Sequence, residues 1–139
     1  MNNLSQIANS KSQNYNSNLK SKDIKVRAYK FSLDIIGFIN DLPNKRAFWA
    51  IGDQLIRCAT SIGANMTEGQ ASSSRREFVK YFEISLKSSN ETKYWLGLLC
   101  DVLDTNLKER ATYLLGEAEE ISKMLGSSVL TLKKKNKYV

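Results

Sequence analysis

Residues 51–69, with the sequence IGDQLIRCATSIGANMTEG, contain two different stripes at helical spacing. The first is apolar and recurs at steps of three and four, as residues on one face of a helix do. Its members are Ile51, Leu55, Cys58, Ile62 and Met66. The second is polar and covers about 80° of the same helix at about 100° per residue. Its members are Gln54, Arg57, Ser61, Asn65 and Glu68. The stretch therefore predicts an amphipathic helix with a polar stripe directly beside its buried face.

Three interpretations of the polar stripe stay open from the sequence: a solvated face, a structural network between helices, and a catalytic or ligand site. The catalytic reading is weakened because the stripe has no base with a pKa near neutrality. A later segment carries small hydroxyl residues and Glu91, with which Arg57 could pair, and a buried charge must be paired to be tolerated. We favour a structural network of Gln54, Arg57, Ser61, Asn65, Glu68 and Glu91.

Apolar residues recur at helical spacing in four segments, near residues 24–42, 44–68, 75–103 and 107–132. Pro43 ends the first segment, and Asn44 is expected to cap the second. Gly69 suits the left-handed position after a helix end, and Ser74 with Glu77 forms a capping box. Short connections between long helices favour antiparallel neighbours, and no segment alternates like a half-buried strand. The sequence predicts an all-α fold, an antiparallel up-down four-helix bundle over residues 24–132.

The third segment is apolar over a wider arc than one corner of an isolated bundle needs. Its apolar positions cover roughly 200° at helical spacing, whereas the fourth segment has an ordinary stripe of about 120°. The surplus is best explained by self-association, with cover by loops or tails as the alternative. The residues expected at an oligomer interface are Ile84, Trp95, Leu98 and Val102.

The net charge of +7 is concentrated at the two ends of the chain. Residues 1–23 carry +2 and residues 133–139 carry +4, whereas residues 24–132 carry only +1. The first end is rich in Asn and Ser and poor in apolar residues, so we expect a disordered tail there. The basic tail has two explanations: its lysines complement a helix C-terminus, or they contact nucleic acid.

The composition argues against several kinds of chemistry. The chain has no His, which removes the commonest acid–base catalyst and metal ligand. Cys58 and Cys100 are too few for a zinc cage, and no phosphate-binding loop or nucleophile elbow is present. The acidic residues Glu117, Glu119 and Glu120 are interpreted as a solvated helix surface. We therefore expect no enzymatic activity, no cofactor and no metal.

No apolar run approaches the roughly 20 residues of a membrane span, and no secretion signal is visible at the N-terminus. The expected location is the cytoplasm, with both thiols reduced and no membrane partner.

The residues 54–69, QLIRCATSIGANMTEG, closely resemble the signature of a bacterial four-helix-bundle family, the 23S rRNA intervening-sequence proteins. The following SRREF at residues 74–78 and the Ser88 to Glu91 portion also fit. The resemblance implies a small bundle that assembles into a homo-oligomeric ring, typically a pentamer. It also implies a basic subset, the accessory variability proteins of diversity-generating retroelements, which bind a reverse transcriptase and nucleic acid. This chain departs from the family at Cys58 and Met66, where Ala is more usual.

Two functions follow as expectations. The first is a non-enzymatic, nucleic-acid-binding accessory subunit with RNA or DNA and a reverse transcriptase as partners. The phosphate-contacting residues would be Arg75, Arg76, Lys80, Lys87, Lys93, Lys133, Lys134, Lys135 and Lys137. The alternative is a protein-interaction scaffold of the intervening-sequence type with no direct nucleic-acid role. Fold alone does not separate the two, because function depends on the surface residues.

Overall fold

The computed structural model describes residues 23–136, which form four α-helices. The helices are α1 (Ile24–Asn40), α2 (Arg46–Ala71), α3 (Arg75–Val102) and α4 (Thr105–Asn136). The tail was predicted over residues 1–23; its residues 1–22 and the last residues from Lys137 onward lie outside the described residues. No strand occurs between residues 23 and 136, and the predicted all-α antiparallel bundle is confirmed.

The helices occupy the four corners of the bundle in chain order. α3 packs against α2 and α4, and α1 packs against the same two helices, so α1 and α3 lie across a diagonal. The core fills the space between them. Its largest fully buried side chains include Phe31, Ile35, Phe38, Leu55, Ile62, Met66, Leu96, Leu99, Ile121 and Leu125. The apolar stripe of α2 faces this core, with only Ile51 half-buried.

The helix ends follow the predicted signals only in part. Ser74 caps α3, because its hydroxyl accepts a hydrogen bond from the Glu77 backbone N–H at 3.1 Å. Asn44 does not cap α2 as predicted, because the helix starts later and Asn44 Oδ1 instead accepts from Trp49 Nε1 at 2.9 Å. At the other chain reversal, Thr105 opens α4 with a φ of 53°, in the left-handed region.

Gly69 corrects a second expectation. It is not a left-handed residue beyond the helix end but a buried residue inside α2. A Cβ atom at this position would lie 3.1 Å from Tyr81 Cβ and 3.4 Å from Phe82 Cδ1. The glycine is therefore required for the close approach of α2 and α3 at this end of the bundle.

α4 continues to Asn136, past Leu132, where the sequence predicted the bundle to end. Gly126 and Ser127 do not interrupt it. Lysines favour the last turn of a helix because they complement the partial negative charge of the free carbonyl groups. Lys133, Lys134 and Lys135 lie in this last turn of α4.

Candidate functional site

Six basic side chains lie at the end of the bundle where α3 begins and α4 ends. Three come from the first two turns of α3 and three from the last turn of α4. The antiparallel packing of these helices brings them together, and Lys133 Nζ lies 2.6 Å from Glu83 Oε1 across the interface. We call this set the basic end: Arg75, Arg76, Lys80, Lys133, Lys134 and Lys135.

Most of the positive charge of the basic end is not neutralised. All six side chains are exposed. Only Lys133 has a carboxylate oxygen within 4.0 Å among residues 23–136. Arg75 and Arg76 stand at the N-terminus of α3, where the free backbone N–H groups carry partial positive charge of their own. Helix and side chains therefore add to the same positive potential.

The remaining predicted phosphate contacts are distributed along α3. At about 100° per residue, Lys87 lies within about 40° of Arg76 and Lys80, so the three share one exposed stripe. Lys93 is half-buried and lies roughly 120° away from that stripe. The structure thus aligns Lys87 with the basic end and separates Lys93 from it. Lys137 lies outside the described residues.

The polar stripe of α2 is hydrogen-bonded to α3 near the middle of the bundle. Ser88 Oγ donates to Ser61 Oγ at 3.0 Å. Asn65 Nδ2 donates to Ser61 Oγ at 2.7 Å and to the Ser61 carbonyl oxygen at 2.8 Å. One turn away, buried Ser85 donates to the carbonyl oxygen of Ile62 at 2.9 Å. Small hydroxyl side chains allow the two helices to approach closely while their polar groups stay bonded.

The other members of the predicted network lie at the surface. Gln54, Arg57, Glu68 and Glu91 are exposed, and Arg57 and Glu91 form no ion pair within 4.0 Å in the described part of the chain. Glu91 and Thr92 are neighbours of Cys58, whose thiol is buried. Burial raises the pKa of this thiol to about 11, so it is protonated and unreactive near neutral pH.

The predicted interface residues lie on the side of α3 that is turned towards α2. Val102 is 56% exposed. Ile84, Trp95 and Leu98 are half-buried, and the buried Trp95 Nε1 has no hydrogen-bond partner within residues 23–136. At helical spacing the four lie within about 60° of one another. We call them the α3 apolar face: Ile84, Trp95, Leu98 and Val102.

The sequence interpretation of the acidic residues on α4 was wrong for Glu117. Its carboxylate is 12% exposed and binds Arg27 of α1, with Nη2 at 2.8 Å and Nε at 2.9 Å. Glu120 binds the same guanidinium, and Arg27 Nη1 contacts the sulfur of Met124 at 3.3 Å. The available signal was the spacing of Glu117, Glu120 and Met124, which places them in one stripe of α4. Glu119 is exposed, as expected.

Residues 23–136 contain neither a metal-binding cluster nor a membrane-spanning helix. No group of three or more Cys, Asp or Glu side chains is arranged to hold a metal ion. None of the helices there is both long and apolar enough to cross a membrane.

The comparisons with known proteins match this architecture. The family model of the 23S rRNA-intervening sequence protein matches residues 20–127. The chain belongs to this family. A solved structure of a protein with unknown function, from the S23 ribosomal protein family of Bacteroides thetaiotaomicron VPI-5482, is 33% identical. The match covers 76% of this chain and 97% of that chain, with a TM-score of 0.69. None of the curated proteins matches the chain.

Membership confirms the resemblance seen in residues 54–69 and the bundle fold. The functional residues therefore have to be argued from the surface of this family member. The two surface features that stand out are its basic end and the exposed part of its α3 apolar face.

Proposed function

We propose that this family member is a non-catalytic, oligomeric protein that binds nucleic-acid phosphates through its basic end. One observation carries the proposal: the packing of α3 on α4 gathers six exposed cations from distant parts of the chain. Phosphate oxygens are the natural partners of such a cluster, because Lys and Arg displace the counterions of nucleic acid on binding.

The arginines support the proposal more strongly than the lysines. Lys133, Lys134 and Lys135 have a structural explanation, since cations stabilise the C-terminus of a helix. Arg75 and Arg76 have the opposite relation to their helix, because cations at an N-terminus are unfavourable. Two arginines at an unfavourable position point to a role outside the fold.

Self-association through the α3 apolar face forms the second part of the proposal. In a ring with the bundle axes parallel to the symmetry axis, every basic end would lie on the same side of the assembly. Weak phosphate contacts would then add through multivalency, which raises avidity without new contacts. A nearly neutral bundle could bind nucleic acid in this way.

The test compares two triple variants that remove the same charge from opposite ends of the bundle. The first, Arg75→Ala with Arg76→Ala and Lys134→Ala, weakens the basic end. The control, Lys45→Ala with Arg46→Ala and Lys108→Ala, removes three exposed cations at the other end of the bundle, where α2 and α4 begin. Binding of a fluorescent 30-nucleotide RNA and of the corresponding DNA duplex is measured by anisotropy at about 50 and 200 mM salt, a range over which phosphate contacts weaken strongly.

We expect the first variant to bind at least tenfold more weakly at the lower salt. Its plot of log affinity against log salt should also be shallower by about one unit for each phosphate that the variant no longer binds. The control variant should bind like the parent protein. Equally weakened binding in both variants would mean that net charge alone attracts the nucleic acid, and absence of parent binding at 50 mM salt would overturn the proposal.

The alternative function is a protein-interaction scaffold, and one observation favours it. Tyr94 and Val102 on α3 are 61% and 56% exposed, which is more apolar surface than a binder of phosphates alone requires. A reverse transcriptase as the protein partner remains a prediction of the family resemblance. Co-purification of that enzyme with the parent protein, but not with a Val102→Glu variant, would support the scaffold function.

A further inference from the structure

A groove opens between α3 and α4 at the basic end of the bundle. Its volume is about 410 Å³, within the range of about 300–1,000 Å³ that small-molecule sites occupy. Phe78 is half-buried and stacks on the buried Phe82, with the ring centres 4.6 Å apart, so the uncovered part of the Phe78 ring faces the groove. We call it the α3–α4 groove, and it is lined by Phe78, Phe82, Ser127, Ser128, Thr131 and Leu132.

The groove stays open because α1 is the shortest of the four helices. Arg27, in the first turn of α1, contacts the sulfur of Met124 on α4. At about 100° per residue, Ser127 and Thr131 lie within about 60° of Met124, so they continue the same stripe towards the end of α4. This stripe passes beyond the start of α1. The inner side of the last turns of α4 is therefore not covered by the described residues of α1.

The α4 side of the groove offers hydrogen-bond acceptors. Thr131 Oγ1 donates to the carbonyl oxygen of Ser127 at 3.0 Å, and Ser128 Oγ donates to that of Met124 at 2.9 Å. Each hydroxyl oxygen keeps lone pairs that can accept from a ligand N–H. The groove thus combines an aromatic face with acceptors. A nucleobase matches this combination, because its flat face stacks on aromatic side chains and its edge carries N–H groups.

Two cations of the basic end stand at the outer mouth of the groove. Arg75 lies one turn before Phe78 and within about 60° of it around α3. Lys135 lies one turn beyond Leu132 and within about 60° of it around α4. Both cations are exposed, and neither has a carboxylate within 4.0 Å in the described part of the chain. Arg76 lies roughly 160° from Phe78, so it belongs to the basic end but not to the mouth of the groove.

These charges decide between the possible occupants of the groove. Residues 1–22 join α1 at this same end of the bundle, but they contain three lysines and no acidic residue. Like charges make them a poor match for a mouth formed by Arg75 and Lys135. An anionic occupant is favoured. Among nucleic acids, only single strands present bases that are free to leave the stack and lie on an aromatic ring, because a duplex keeps its bases paired inside.

We propose that the α3–α4 groove binds an unpaired base of a single-stranded nucleic acid, with the base stacked on Phe78 and the adjoining phosphates on Arg75 and Lys135. This inference rests on the proposed function and names its substrate class, single strands in preference to duplexes. It does not depend on self-association, since the α3 apolar face lies about 100° or more away from Phe78 around α3.

The test compares a short fluorescent DNA strand with an abasic strand of the same length. Both carry the same phosphates, and only the first carries bases. Phe78→Leu keeps an apolar side chain in the groove but removes the aromatic ring, whereas Phe78→Tyr keeps the ring. The control Tyr113→Leu removes a ring that is 57% exposed and lies about 27 Å from Thr131 along α4. Anisotropy gives the affinities at about 50 and 200 mM salt, and thermal melts check folding.

We expect the parent protein to bind the strand with bases at least about fivefold more tightly than the abasic strand, which corresponds to one stacked base. Phe78→Leu should remove this difference and leave abasic binding unchanged. Phe78→Tyr and Tyr113→Leu should bind like the parent. Arg75→Ala should weaken binding of both strands, with a salt dependence shallower by about one unit, because it removes a phosphate contact. Phe78→Leu should leave the salt dependence unchanged.

Equal affinity of the parent protein for the two strands would overturn the groove assignment and leave the basic end as a phosphate-binding surface. Failure of the parent to bind either strand would overturn the proposed function together with this inference. A fall in mass of Phe78→Leu in sedimentation would assign the groove to a second copy of the chain and would also overturn the inference.

Discussion

Cys58 is a buried thiol at the α2–α3 interface, and its protonation is coupled to folding. Burial raises the pKa of the thiol to about 11, whereas a Cys in an unfolded chain has a pKa of about 8.5. The folded state holds the proton more tightly, so this stabilisation is complete below pH 8.5 and is lost as the pH rises towards 11. By pH 10 the loss amounts to about 2 kcal/mol.

The measurement is urea unfolding of the parent protein and of Cys58→Ala at pH 7 and pH 10. The free energy of unfolding of the parent should fall by about 2 kcal/mol more than that of the variant. The two proteins differ only at residue 58, so the effects of all other groups cancel in the comparison. An equal alkaline loss in both proteins would show that the thiol is not the group responsible.

Glycines at the helix surfaces show how packing decides the effect of one residue on its element. Gly69 is in contact with α3, and an added Cβ would lie 3.1 Å from Tyr81 Cβ, an atom attached to the backbone of that helix. Gly116 lies on the exposed side of α4, and an added Cβ would meet nothing within 4 Å. The two positions therefore respond in opposite directions to the same substitution.

We expect Gly69→Ala to lower the free energy of unfolding by about 1–2 kcal/mol, because overpacking outweighs the gain in helix propensity. Gly116→Ala should raise it by about 0.5–1 kcal/mol, because only the propensity gain remains. Urea unfolding of both variants gives the two values. Stabilisation by Gly69→Ala would mean that α2 and α3 can separate at this end at no cost in stability.

The helices themselves were predictable because their signals are local. Apolar spacing over residues 51–66 and the Ser74 cap are each contained within a few turns of one helix. The function of Gly69 was not predictable in this way, since it depends on which residues of α3 pack opposite α2. The exposed location of Arg57 also depends on the rotation of α2, which a stripe beside the apolar face leaves undetermined.

The basic end could be predicted from the sequence only in part. Both of its segments were identified as basic from the sequence, but their convergence requires the antiparallel packing of α3 on α4. The α1–α4 ion pairs had no comparable signal, because Arg27 and Glu117 are 90 residues apart in the chain. Spacing along α4 indicates that Glu117 shares a stripe with Glu120, and only the tertiary fold supplies the cation between them.

At the scale of the whole molecule, the Arg27 pairs attach the short helix α1 to α4. Burial alone would lower the pKa of Arg27, but its hydrogen bonds to Glu120 and Glu117 raise it, so the guanidinium stays charged. Removing one partner of a buried pair leaves an uncompensated charge. We expect Arg27→Ala to lower the free energy of unfolding by about 2–3 kcal/mol, less than for a fully buried pair because Glu120 is 45% exposed.

A second ion pair between the same helices provides the matched control. Arg110 and Asp41 are 41% and 59% exposed, so Arg110→Ala should cost less than about 1 kcal/mol. The double variant Arg27→Met with Glu117→Leu should recover much of the stability, because no buried charge is then left unpaired.

Hydrogen exchange shows which helix is affected. The amides of α1 should exchange faster in Arg27→Ala, while those of α3 stay protected. Uniformly faster exchange in all four helices would show that α1 does not open separately and that the ion pairs stabilise the bundle only as a whole.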